Sequence, residues 1–114
     1  MMLLDTDAVI DMLKTGRYEV GSIFIITLVE VLRGIAEEKR SRVKELVERS
    51  FKVLHLDNRT IETYCKLHDS LKAEGKPIPD ANLLIAATTL TNNLPLKTKD
   101  KRFQILKSHG LKLK

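Results

Sequence analysis

Apolar positions along the chain fall into two alternating periods. Met2, Leu3 and Leu4 form a short unbroken apolar run that ends abruptly in Asp5-Thr6-Asp7. Such a run reads as a strand buried on both faces of a parallel sheet. Residues 8–14 follow as a short helix with Val9, Ile10, Met12 and Leu13 apolar, stopped by Gly16. Residues 22–26, Ser-Ile-Phe-Ile-Ile, are β-branched and aromatic and predict a second buried strand. Residues 27–38 predict a helix: Leu28, Val31, Leu32 and Ile35 recur at i, i+3, i+4 and i+7. Thr27 and Glu30 stand at capping-box spacing at its start.

A charged helix over residues 41–50 turns Val43, Leu46 and Val47 inward. Residues 51–56 alternate and predict a third strand, with His55 on the solvent side. Asp57 or Asn58 caps the next helix, which reaches Glu74 with Ile61, Tyr64, Cys65, His68 and Leu71 as its inward stripe. On that reading Cys65 is core packing and His68 a partly buried, hydrogen-bonded residue. Gly75 ends the helix, and Lys76-Pro77-Ile78-Pro79 makes a rigid loop. Residues 81–90 are apolar nearly all round, which predicts a helix buried against the sheet. Asn92 or Asn93 suits a left-handed helix end. Residues 94–97 form a fourth strand, a brief helix carries Phe103 and Leu106, and residues 111–113 are a last strand after Gly110. The order β-α-β-α-α-β-α-α-β-α-β predicts an α/β fold with parallel strands, right-handed crossovers and helices on both faces.

Bulk properties narrow this picture. A chain of 114 residues is one domain, with 43% apolar and 31% charged residues. One cysteine excludes an internal disulfide and a zinc ribbon. Asp5 and Asp7 interrupt the apolar start, which is too short for a signal peptide, and no apolar run approaches the ~20 residues of a membrane span. A reducing, cytoplasmic setting is expected. The net charge of +5 is uneven: residues 97–114 carry seven bases and one acid, so the rest of the chain sums to −1. Lys97, Lys99, Lys101 and Arg102 open that basic segment and are candidate phosphate contacts, although a solvated terminus looks the same.

Candidate chemistry follows from the strand ends. Asp5 ends the first strand, Glu30 lies in the first turn after the second, Asp80 and Asn82 open the buried helix, and Asp100 follows the fourth strand. In a parallel α/β sheet these places gather at the carboxyl edge. Carboxylates converging there repel one another unless a cation lies between them, and oxygen ligands suit Mg²⁺ or Mn²⁺. Such a site fits metal-assisted phosphoester hydrolysis. Thr6, Thr27 and Thr98 adjoin the acids and can hold them by hydrogen bonds. Helix capping is the plainer role for Asp5, Glu30, Asp80 and the threonines.

Four segments together resemble a known family: Leu3-Leu4-Asp5-Thr6-Asp7, Thr27-Leu28-Val29-Glu30-Val31-Leu32-Arg33-Gly34, GKPIPDANLLIAA over residues 75–87, and LKTKDKRF over residues 96–103. Their order and spacing resemble a PIN-domain endoribonuclease of the VapC toxin type. The resemblance implies a three-layer α/β/α sandwich around a short, mostly parallel sheet of four to five strands. It also implies an acidic Mg²⁺ or Mn²⁺ site, cleavage of RNA, neutralisation by a small cognate antitoxin, and a homodimer.

Asp5, Glu30 and Asp100 match the family's first, second and last acidic positions. The third departs: Asn82 stands where the family places Asp three residues before Ile85. An amide keeps a carbonyl acceptor but loses the charge, so metal binding and water activation are weakened. Asp80, two residues earlier, is a candidate to compensate. Asn82 fits a naturally weakened member or a substitution that silences a toxic nuclease. Two other functions remain in play. One is a catalytically silent module that binds RNA or a partner; with two Tyr and three Phe it would rely on phosphate contacts rather than stacking. The other is a phospho-acceptor receiver-like domain with Asp57 as acceptor.

Overall fold

The computed structural model describes all residues, Met1–Lys114. Four short strands, β1 (Leu3–Leu4), β2 (Ser22–Phe24), β3 (Lys52–Leu54) and β4 (Leu96–Lys97), pair in the order β3-β2-β1-β4. Every pairing is parallel, with Leu3 beside Ser22 and Leu96, and Leu4 beside Ile23 and Lys97. The helices are α1 (Thr6–Thr15), α2 (Ile25–Arg33), α3 (Glu37–Ser50), α4 (Asn58–Ala73) and α5 (Asp80–Thr91), followed by a 3₁₀ helix, Lys101–His109.

Alternation of side chains along each strand divides the interior in two. Leu3 and Phe24 face one core with Leu67 and Leu71 of α4, Leu83, Ile85, Ala86 and Ala87 of α5, and Phe103 and Leu106. Leu4 and Ile23 face the other with Val9 and Met12 of α1, Leu28 and Val31 of α2, and Val47 of α3. This is the expected α/β/α sandwich. Gly21 sits where the chain enters β2; a Cβ there would stand 3.1 Å from both the Leu4 side chain and the Met2 carbonyl oxygen. No helix is long and apolar enough to cross a membrane.

Several boundaries differ from the sequence expectation. The second strand stops at Phe24 because Ile25 and Ile26 already belong to α2. Thr27 therefore lies inside the helix, Phe24 holds the N-cap position without a side-chain cap, and no capping box forms. The expected helix 27–38 breaks at Gly34, and α3 starts at Glu37. The fifth strand shrinks to one parallel bridge between Leu96 and Leu113.

The buried residues of α4 are Thr60, Leu67 and Leu71: Leu71 lies inward as expected, while Thr60 and Leu67 take the places expected of Ile61 and His68. Cys65 and His68 are exposed rather than packed in the core. Asp57 caps α4, its side chain accepting from Thr60 N at 2.8 Å. That bond holds its carboxyl below the ordinary aspartate value. Asn93 takes the left-handed conformation at φ 53°, as its position suggested.

Candidate active site

The carboxyl ends of β1 and β4 lie side by side, tied by a backbone bond from Asp5 N to the Lys97 carbonyl at 3.3 Å. This places Asp5 beside Thr98 and Asp100. The second turn of α2 and the first turn of α5 bring Glu30 and Asn82 to the same edge; Glu30 was expected in the first turn, but α2 starts two residues earlier, at Ile25. Together Asp5, Thr6, Asp7, Glu30, Arg33, Asn82, Asp100 and Arg102 line one cleft of about 330 Å³. Thus four of the residues expected to form the site meet there, from four separate segments of the chain.

Asp5 is the buried floor of this cleft, 4% exposed. Its Oδ1 accepts from Ala8 N at 3.0 Å, so it does cap α1. Its Oδ2 accepts from Thr98 Oγ1. One oxygen thus fills the capping role that the sequence offered, while the other is held by Thr98. Burial pushes the Asp5 carboxyl above its ordinary value, against the lowering pull of the Thr98 and Ala8 hydrogen bonds; Asp7 and Asp100 add to the rise. Thr98 Oγ1 in turn accepts from Asp100 N at 2.9 Å, fixing the loop after β4 to the Asp5 carboxylate.

Glu30 is held from α1: Thr6 Oγ1 donates to Glu30 Oε1 at 2.6 Å. Thr27 is fully buried and its Oγ1 lies 3.4 Å from Thr6 Oγ1, so it braces Thr6 rather than the acid itself. Asn82, 9% exposed, donates from Nδ2 to Asp100 Oδ2 at 3.1 Å. Its side-chain carbonyl carries no hydrogen bond. Asp100 meets Arg102 through a forked guanidinium contact, with Nε at 3.1 Å from both oxygens and Nη2 at 2.7 Å from Oδ2. Arg102, first among several hydrogen-bond donors, holds the Asp100 carboxyl down to about 2.

Two expectations are corrected here. Asp80 does not reach the cleft. It is exposed at the first turn of α5, accepts from Tyr64 Oη at 2.6 Å, and lines a separate groove with His68, Lys72 and Pro77. The reason is helical phase: two residues before Asn82 is about 200° away around the helix. Nor does Asp80 cap α5; Pro79 holds that position. The basic segment is also less free than its charge suggested. Lys97 pairs with Glu19, Lys99 with Asp11 at 3.1 Å, and Arg102 with Asp100; Lys101 alone of the four has no ion pair. Arg33 and Asp7 line the cleft without having been singled out as site residues. Arg33 was legible in principle, three residues after Glu30 and hence on the same helix face.

No three of the chain's Asp, Glu, His or Cys side chains stand close enough to form a closed metal cage. What the cleft offers is an open rim whose candidate metal donors are all oxygen: the carboxylates of Asp5, Asp7, Glu30 and Asp100 and the free carbonyl of Asn82, with hydroxyls that orient two of the acids and the Arg33 and Arg102 guanidinium groups beside them.

Comparison with known proteins agrees with this architecture. A model of the PIN domain matches residues 2–108. Ribonuclease VapC1 of Methanocaldococcus jannaschii is 40% identical over 116 residues, covering 98% of this chain and 85% of that protein. VapBC-1 from nontypeable Haemophilus influenzae superposes with a TM-score of 0.83 at 25% identity, over 99% of this chain and 96% of that one. DNA-bound VapBC from Salmonella typhimurium superposes with a TM-score of 0.85 at 21% identity, over 100% and 98% of the two chains. Asp57 caps a helix outside the cleft, which removes the receiver-like alternative. The family match over nearly the whole chain and the convergence of the rim acids agree: the chain belongs to the PIN domain family and, within it, to the VapC type.

Proposed function

We propose that this protein is a metal-dependent endoribonuclease, the toxin half of a toxin–antitoxin pair. Asp5, Glu30 and Asp100 would hold Mg²⁺ or Mn²⁺ at the cleft, with the Asn82 carbonyl as a fourth oxygen. The observation that carries this reading is the Asp5 carboxylate, buried at the cleft floor and raised in pKa, with Asp100 contributing to that rise. A like-charged, partly desolvated rim is costly unless a cation relieves it. The donor set fits such an ion. It is all oxygen, and the open spacing suits Mg²⁺, which keeps several waters of its own. When bound, the ion would polarise the scissile phosphate and lower the pKa of a bound water. The similarity to a ribonuclease, at 40% identity, supports RNA as substrate.

The chain's own residues have separate tasks. Asp5 stays oriented through Ala8 N and Thr98, so its outward lone pairs face the cleft. Thr6 fixes the Glu30 rotamer. Asn82 orients Asp100 but contributes no charge, so the ion is held more weakly than by a fourth carboxylate. Lys101 is free for a backbone phosphate, while Lys97, Lys99 and Arg102 must first exchange their internal partners. The superposition on VapBC complexes supports a small antitoxin as partner, and the toxin-type resemblance supports a homodimer.

One observation favours a second reading, a silent RNA-binding module: Asn82 and Arg102 together neutralise the Asp100 end of the rim. Labelled structured RNA, incubated with the wild type and with Asn82→Asp in Mg²⁺, Mn²⁺ or EDTA, separates the two. Metal-dependent cutting by the Asn82→Asp form, lost on adding Asp5→Ala, supports the nuclease. Binding without cutting by both forms supports the module.

A further inference from the structure

Asp100 is the rim acid with no capacity to spare. Its Oδ1 receives Arg102 N at 2.9 Å and Arg102 Nε at 3.1 Å. Its Oδ2 receives Arg102 Nε at 3.1 Å, Arg102 Nη2 at 2.7 Å and Asn82 Nδ2 at 3.1 Å. A carboxylate offers about four lone-pair sites. Five donor contacts fill them, and three come from one guanidinium. Asp5 and Glu30 differ: their side chains accept from hydroxyls and a backbone N–H, which leave lone pairs towards the cleft. Lys97 and Lys99 are held by Glu19 and Asp11, and Arg33, the other guanidinium lining the cleft, makes no hydrogen bond or ion pair with Asp100.

Arg102 is not built into the fold. Its side chain is 57% exposed against 18% for Asp100, and every hydrogen bond that it donates goes to Asp100. A contact so exposed is weak and exchangeable, even with forked geometry. The guanidinium thus lies where a cation would coordinate Asp100, held by an interaction a divalent ion can replace.

We propose that Arg102 is an internal latch that competes with the divalent ion for Asp100: closed on the carboxylate in the free protein, and displaced to the rim when the ion binds. Displacement releases a guanidinium next to the place where an RNA phosphate would lie, so ion entry and phosphate recognition are coupled through one side chain. This inference rests on the metal site proposed above.

The test is Mn²⁺ affinity, read from the electron paramagnetic resonance signal of the free ion during titration of the metal-free protein. Arg102→Ala and Arg102→Gln are both expected to tighten Mn²⁺ binding, by about two- to fivefold, the range an exposed ion pair can hold back. A guanidinium acting only through its long-range charge would hold back Mn²⁺ whether or not Asp100 is a carboxylate. The double variant resolves this: in an Asp100→Asn background, Arg102→Ala should bring no further gain. Equal or weaker Mn²⁺ binding by both Arg102 variants overturns the latch and leaves the metal site standing. The same gain in the Asp100→Asn background also overturns it. If neither the wild type nor any Arg102 variant binds Mn²⁺, the latch and the metal site fall together.

Discussion

Asn82→Asp changes one atom type and tests the electrostatics of the whole rim. The side chain is buried and its Nδ2 lies 3.1 Å from Asp100 Oδ2. The substitution removes a hydrogen bond to a charged acceptor, worth roughly 1.5–3 kcal/mol. It also faces one carboxylate with another. Two like charges at about 4 Å repel by ~4 kcal/mol at an effective dielectric constant of about 20. Arg102 bridges the far side of Asp100 and offsets part of this, and proton uptake by the pair offsets more. A net loss of about 2–4 kcal/mol without metal is expected, a large part of the 5–15 kcal/mol that holds a typical domain together. For a domain of this size that lowers Tm by roughly 8–16 °C, at about 4 °C per kcal/mol. Mn²⁺ replaces repulsion by shared attraction, and ion at a hundred times its Kd returns about 2.7 kcal/mol. The assay is thermal unfolding at pH 7 in EDTA and in Mn²⁺. The expected pattern is a Tm for Asn82→Asp well below wild type in EDTA, and a rise on adding Mn²⁺ larger than that of wild type. An EDTA Tm equal to or above wild type, with equal rises in Mn²⁺, would refute the claim that Asn82 relieves repulsion at an ion site.

Thr98→Val deletes the hydroxyl that joins Asp5 to the Asp100 backbone; a loss of about 1–3 kcal/mol in urea unfolding is expected, from leaving a buried carboxylate oxygen unsatisfied. The same variant should raise the Asp5 pKa further, because the Thr98 bond is a lowering influence on it, and a carbon-detected NMR titration reads that directly. Asp5 carries a folded pKa above its unfolded value, so its contribution is fully present below the unfolded pKa and is lost as pH rises through the folded one. Asp5→Asn should therefore be more stable than the metal-free wild type at pH 7, and a Tm series should show the difference shrinking as pH falls through the Asp5 pKa. Asp100, held down to about 2, works the other way: its contribution is present above the unfolded aspartate pKa and fades on acidification towards 2, a slope that Asp100→Asn should remove. Lys101→Ala should weaken RNA binding without altering Tm and reduce the salt dependence of log K by about 0.7, the share of one phosphate contact on a single strand; an unchanged slope in fluorescence anisotropy would remove Lys101 from the interface.

Local pattern carried most of the architecture. Short, mostly apolar strands at Leu3-Leu4 and Ser22-Ile23-Phe24, separated by helical periodicity, point to a parallel sheet with helices on both faces. In such a sheet, acids at strand ends must share an edge, so Asp5, Glu30, Asn82 and Asp100 were legible as neighbours before any coordinates. The sequence also held the family resemblance, because four short motifs keep their order and spacing over nearly the whole chain.

Tertiary structure decided what depends on angle and on partner. Helix phase set which side chains turn towards the sheet. One residue, about 100° of rotation, separates the expected Ile61 and His68 from the observed Thr60 and Leu67 on α4, and two residues carry Asp80 away from Asn82. The charge sum of residues 97–114 could not reveal that Lys97, Lys99 and Arg102 are each met by an acid, two of them far away in sequence. Nor could it reveal that one guanidinium closes on Asp100. Composition counts charges, but an ion pair is a matter of distance, and distance between remote segments exists only once the chain has folded.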